Sequence, residues 1–312
     1  MYSKTFKQLT YKNVPEAGGK GASLGEMTNA KIPVPGGFVI LASAFDRFLE
    51  ETDLDVSIAA ELKKVKYKDI NSVDRASNVI RGLIHDQKMP EDLKKLILAE
   101  FKKVKSKFVA VRSSATAEDS SVASWAGELE SYLDTTEKTL LENVKKCWSS
   151  LFTPRAIFYR HEKKLLKTKV SVAVVVQKMV ESEISGIAFT VHPVTKDKNQ
   201  IIIEAGWGLG EAIVSGQITP DSYVLDKRDN SIIDINVSRQ EMMITRNKPS
   251  GVKHVKIPKA KQEKQKLNGK QIAAISKICQ GIEKHYKKPQ DIEWAFEKGK
   301  FYIVQSRPIT TL

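Results

Sequence analysis

A chain of 312 residues, 41% hydrophobic and 28% charged, is long enough for about two domains and has an ordinary globular composition. No apolar run approaches the ~20 residues of a membrane-spanning helix and the first residues carry no apolar signal core, so no membrane contact and a cytoplasmic location are expected. The net charge of +14 raises the question of nucleic acid, but its densest run, Lys253 to Lys270, carries seven lysines, one acid and no aromatic residue for bases to stack on, so a solvated loop and helix face is expected and nucleic acid is not.

In chain order, Gly18-Gly-Lys-Gly-Ala-Ser-Leu-Gly-Glu-Met27 opens a helix, and Val34 to Leu41 reads as a turn followed by a short strand. Residues 44 to 101 carry helical apolar spacing, as in Phe45, Phe48 and Leu49 and later Leu93, Leu96 and Ile97. Phe108-Val-Ala-Val-Arg112 is a buried strand that ends in a hydroxyl-rich loop. Thr139 to Lys167 is helical, with Thr153-Pro154 as the N-cap and first residue of a second helix. Val170 to Gln177 is too apolar for an exposed edge, and Ile201 to Ala205 is a further strand before Gly206-Trp-Gly-Leu-Gly-Glu211. Strands and turns fill 222 to 246, and a helix over 267 to 286 precedes a closing hairpin. Without a clean βαβ alternation the class is α+β, with two lobes, 1–180 and 181–312. Cys147 and Cys279 lie in helical patterns without metal spacing and are expected to be buried, reduced thiols.

The hairpin, Asp291 to Pro308, carries the most chemistry. Ile292, Trp294 and Phe296 alternate with Glu293 and Ala295, Lys298-Gly299 supplies the turn, and Phe301 to Val304 returns. Glu293, Gln305 and Arg307 are its polar exceptions. They fit either solvated positions on an edge or a magnesium–triphosphate site, which wants a carboxylate, an amide and a guanidinium together. The second reading requires Glu293 and Gln305 on one face, which predicts an odd-length loop with Gly299 at positive φ; a two-residue turn without a bulge would separate them.

Gly18 to Ser23 misses the Walker spacing, yet a glycine loop with one lysine can cradle phosphate through backbone N–H groups. Gly206, Gly208 and Gly210 miss the dinucleotide spacing. In Val111-Arg-Ser-Ser-Ala-Thr-Ala-Glu-Asp119 an arginine followed by three hydroxyls offers donors to phosphate, or caps a helix.

These segments, together with Cys147 to Ile157, Val176 to Val180, Ser185 to Thr190, Gly208 to Glu211 and Gln305-Ser-Arg-Pro308, resemble one family over essentially the whole chain. It is the nucleotide-binding domain of phosphoenolpyruvate synthase, pyruvate phosphate dikinase and rifampicin phosphotransferase. The resemblance implies an ATP-grasp fold with ATP and Mg2+ held between two lobes. It assigns Lys20 and Arg112 to the phosphates, Gly127 and Ser131 to the nucleotide loop, where the family often has Thr in place of Ser131, and Gln177 to the adenine side. Glu293 and Gln305 take the role of magnesium ligands, and Arg307 that of the cation on the transferring phosphates. Lys20, Arg112 and Arg307 are the catalytic cations in this assignment.

The family passes a phosphoryl group from ATP to a histidine on another domain, and from there to pyruvate or to the antibiotic. His85, His161, His192, His254 and His285 do not match its phosphohistidine pattern. The chain is therefore expected to act with a phosphohistidine-carrying domain or subunit and a small-molecule acceptor. The full system makes phosphoenolpyruvate or, alternatively, modifies a rifamycin. A nucleotide sensor without catalysis is the other alternative, and Arg307 argues against it, because binding alone needs no transition-state cation.

Overall fold

The computed structural model describes residues 1–116, 130–165, 170–247 and 251–310. The chain divides into two compact units, Met1–Glu26 with Gly36–Met179, and Met27–Pro35 with Val180–Leu312. Helices and an antiparallel sheet occur in each, as the α+β expectation requires.

The first unit contains β1 (Ser3–Thr5), most of α1 (Val14–Asn29), β2 (Gly37–Ile40), α2 (Ala42–Glu51), α3 (Leu54–Lys63), α4 (Ile70–Asp86) and α5 (Glu91–Val104). It continues with β3 (Val109–Ala115), β4 (Ser131–Thr135), α6 (Glu137–Ser149), α7 (Pro154–Glu162) and β5 (Val172–Lys178). The sheet order is β1-β2-β5-β3-β4, with all neighbours antiparallel. β5 is thus a central strand, and Val172 through Val176 are buried on both of its faces, which matches its apolar run.

Strand alternation then sorts the side chains. Phe38, Ile40, Val109, Val111, Val174 and Val176 enter one core with the helices. There Trp148 lies 5.5 Å from Phe45 and 5.1 Å from Phe48, ring centre to ring centre. Cys147 is buried in this core, and its thiol is pushed up to about 12 by desolvation, so it is inert. Thr153 caps α7 as its sequence suggested, its hydroxyl accepting from the Ala156 N–H at 3.1 Å.

The second unit contains β6 (Ile184–Phe189), β7 (Gln200–Trp207), α8 (Glu211–Val214), β8 (Asp221–Asp226), β9 (Ile232–Asn236), β10 (Met242–Arg246) and β11 (Val252–Lys256). After α9 (Lys259–Gln262) and α10 (Gly269–Tyr286) it ends in β12 (Gln290–Glu297) and β13 (Lys300–Pro308). Six strands form an antiparallel sheet ordered β13-β12-β6-β7-β8-β9, and β10 pairs with β11 alone. α10 packs against β7 and β12 and buries Ile272, Ile275 and Cys279. The sheet residues Ile203, Tyr223, Ile292 and Trp294, which share one face by register, are fully buried.

The lysine-rich stretch departs from its expected solvated role at one position. Lys266 is completely buried and donates to Asp221 at 2.7 Å, while Asp221 also accepts from the Tyr223 hydroxyl at 2.8 Å and from the Ser238 N–H at 3.0 Å. Charge composition cannot distinguish this lysine from its neighbours, because its partner lies 45 residues away. Among the described residues no helix is long and apolar enough to cross a membrane.

Candidate functional site

In the first unit, Arg112 in β3 stands opposite Ser131 in β4 and opposite Val175 in β5. Gln177 stands opposite Ala110, two residues before Arg112, and opposite Gly37. Register therefore puts Arg112, Ser131 and Gln177 on one face of the sheet, the reverse of the face that carries the helical core. α1, the helix that carries Lys20, packs on this face. A Cβ at Gly21 would touch Val39 Cγ2 at 3.0 Å, and one at Gly18 would meet Ser114 Oγ at 2.2 Å. Gly18 also has φ +69, a kink in α1 that only glycine adopts without strain. Ser114 closes the joint by donating to the Ala17 carbonyl at 2.9 Å and accepting from the Gly21 N–H at 3.2 Å.

The hydroxyls after Arg112 correct the expectation of a donor fork. β3 runs on to Ala115, so Ser113 and Ser114 point to opposite faces. Ser113 donates to the Glu130 carbonyl at 2.9 Å, Ser114 fastens α1, and Thr116 donates to the Ser171 carbonyl at 3.1 Å. The protein itself uses these hydroxyls. Gly127 lies outside the described residues.

Gln177 is only 2% exposed, and among the described residues its Nε2 has no hydrogen-bond partner. A buried amide donor left unmatched costs about 1–3 kcal/mol. Gln177 lies on the face that also carries Arg112.

The hairpin in the second unit corrects the loop expectation and keeps its consequence. Glu297 pairs with Lys300, so Lys298-Gly299 is a two-residue turn, with φ 48° and 78° as a type I′ turn requires. An odd-length loop is not used. The parity is changed further along, where Trp294 pairs with Ile303 but Glu293 pairs with Gln305, leaving Val304 as the extra residue of a bulge. The bulge turns Gln305 and Arg307 onto the face of Glu293.

Two residues of this face carry no motif signal that sequence reasoning used. Asp291 pairs with Arg307 and accepts from its Nε at 2.8 Å and Nη2 at 2.7 Å, which fixes the guanidinium plane. Period-two spacing from Glu293 could have found it. Glu204 follows by register, since Glu293 faces Ile187 and Ile187 faces Glu204. Burial foremost, and then the charge of Asp291, raises the Glu204 carboxyl above its ordinary value. Burial raises Asp291 as well, against the pull of Arg307.

Among the described residues no three His, Cys, Asp or Glu side chains cluster as a metal site. Glu293 and Gln305 instead offer two hard oxygens, the partial set that Mg2+ completes with substrate phosphates and water. His192 is occupied by its own turn, its Nδ1 accepting from the Val194 and Thr195 N–H groups at 3.2 Å each.

Residues 14–312 match the family model described as pyruvate phosphate dikinase, AMP/ATP-binding domain. A probable phosphoenolpyruvate synthase of Methanocaldococcus jannaschii is 46% identical over 98% of this chain and 26% of its own length. One from Archaeoglobus fulgidus is 48% identical over 96% of the chain and 40% of its own length. The rifampicin phosphotransferase of Bacillus subtilis is 38% identical over 95% of the chain and 34% of its own length. The chain spans less than half the length of these curated relatives.

Proposed function

Because the chain belongs to the pyruvate phosphate dikinase AMP/ATP-binding domain family, we propose that it binds Mg2+-ATP and supplies a phosphoryl group to a histidine on a separate domain or chain. The observation that carries this reading is the pairing of Glu293 with Gln305, beside an Arg307 already oriented by Asp291. In this reading residues of each face contact a nucleotide. Lys20, Arg112 and Ser131 take the phosphates, and Gln177 meets a polar edge of the base. Glu293 and Gln305 would hold Mg2+, which neutralises phosphate charge when bound. Arg307 presents two N–H groups in a fixed plane to phosphate oxygens, and such charge-complementary positioning is what phosphoryl transfer most needs.

In the full system the reaction would convert ATP, pyruvate and water into AMP, phosphoenolpyruvate and phosphate. Identities of 46% and 48% to probable phosphoenolpyruvate synthases, against 38% to the rifampicin enzyme, favour pyruvate over an antibiotic as final acceptor.

Titration calorimetry with ATP, in Mg2+ and in EDTA, tests the reading. Lys20→Ala and Arg112→Ala should each weaken binding roughly 10- to 100-fold in both media, the loss of one charge-assisted contact. Glu293→Gln should weaken it only in Mg2+. No heat from millimolar ATP, or equal losses from Glu293→Gln in the two media, would overturn the assignment.

A further inference from the structure

Glu130 immediately precedes Ser131 and belongs to no role assigned above. Its carboxylate accepts from Arg81 Nη2 of α4 at 2.8 Å and from the Tyr132 hydroxyl. Its backbone carbonyl accepts from the Ser113 N–H at 3.1 Å and the Ser113 hydroxyl at 2.9 Å. Strand alternation then matters: Tyr132 pairs with Val111 and packs against the helical core, while Ser131 between them pairs with Arg112 on the reverse face.

The start of β4 is thus held from the helix side at both neighbours of Ser131. The Arg81–Glu130 pair is about three-quarters buried, at 26% and 30% side-chain exposure, so it is less screened than the ion pairs on the unit's outer helices. The β3–β4 ladder has a register irregularity between Val109 and Val111, one residue from Arg112. The irregularity falls beyond Tyr132, toward Thr135, so the pairs Val111–Tyr132 and Arg112–Ser131 set the strand start, and the Glu130 side-chain link adds to them from the helix side.

We propose that Glu130, held by Arg81 and Tyr132, is a positioning residue that sets Ser131 against Arg112 for nucleotide phosphate. The inference rests on the reading that Ser131 and Arg112 contact ATP. It adds a carboxylate that never touches the nucleotide yet governs its affinity, with α4 as the anchor. A structural role alone would lower the unfolding temperature without changing affinity in the folded protein.

The test is Mg2+-ATP calorimetry well below the unfolding temperature, on Glu130→Gln, Tyr132→Phe, Ser131→Ala, the pair Glu130→Gln/Ser131→Ala, and the swap Arg81→Glu/Glu130→Arg. Ser131→Ala and Glu130→Gln should each weaken binding several-fold, and the double variant should be no weaker than the worse single one, because both act through one contact. The swap should recover most of the affinity that Glu130→Gln loses. Tyr132→Phe, which removes one hydroxyl and keeps the core packing, should show a smaller loss of the same kind. Additive losses, or affinity unchanged in both Glu130→Gln and Tyr132→Phe while Ser131→Ala weakens binding, would overturn the positioning role alone. If Ser131→Ala and Arg112→Ala both leave ATP binding intact, the nucleotide reading of this face fails first.

Discussion

The two sheets gather polar side chains on one face by different means. In the first unit regular alternation does it: Arg112, Ser131 and Gln177 fall into line because β3, β4 and β5 pair around them without an inserted residue at those positions, and a glycine kink brings α1 alongside. In the second unit regular pairing would have failed. A two-residue turn alone sets Glu293 against Val304, and only the bulge restores Gln305 and Arg307 to its side. Among the described residues the first face leaves the Gln177 donor unmatched, whereas the second is internally paired through Asp291 and Arg307.

The largest expected effect comes from breaking the joint that makes the first face. Gly18→Ala places a Cβ 2.4 Å from the Ser114 carbonyl oxygen, which is backbone and cannot swing aside, at a φ of +69. Strain and overlap together should cost roughly 2–5 kcal/mol in denaturant unfolding. ATP affinity should fall with it, since Lys20 rides on the same turn. A cost under about 1 kcal/mol would mean that α1 sits loosely on β3.

A smaller effect, opposite in sign for stability and binding, sharpens the claim that the first face leaves the Gln177 donor unmatched. Gln177→Leu removes a buried donor that has no partner among the described residues, so the ligand-free protein should be as stable as before or more stable by about 1 kcal/mol. ATP should bind roughly ten-fold more weakly, a loss of about 1.4 kcal/mol. A drop in ligand-free stability, measured by the same unfolding assay, would show that the amide is already satisfied.

What the sequence revealed follows the same division. The valine run of β5, the Thr153-Pro154 cap and the turn at Lys298-Gly299 are local signals, and each appears where its chemistry requires. The bulge at Val304 is not local: nothing in Ile-Val-Gln marks an extra residue, because the mismatch shows only in the pairing with β12. Lys266 and Glu130 were silent for a related reason, their partners Asp221 and Arg81 lying 45 and 49 residues away. Lys20, Arg112, Glu293, Gln305 and Arg307 were legible as chemistry. Which face each one shares could be read only from register. The placement of Met27–Pro35 with the second unit, where the Pro33 carbonyl accepts from the Ile303 N–H at 2.9 Å, also has no sequence mark.

The smallest effect, in pH, separates the units by sign. His85 in the first unit donates to or accepts from Ser149 Oγ at 2.8 Å, and burial, with Arg81 and the nearby lysines, lowers it below its ordinary 6.5. A lowered histidine favours the folded state fully above the unfolded value, and that contribution is lost as pH falls through the folded value. Asp291 and Glu204 in the second unit are raised above 3.8 and 4.5. A raised carboxyl contributes most below its unfolded value and loses that contribution as pH rises through the folded one. Acidification of the ligand-free protein from pH 7 to pH 5 should therefore weaken the first unit while it relieves the second. Hydrogen exchange, corrected for intrinsic rates, should show faster opening of α4 and α6 and slower opening of β7 and β12 at the lower pH. His85→Gln should flatten the first response and leave the second, and Asp291→Asn should do the reverse. A common direction in both units would mean that their titrating groups are not the ones that set stability here.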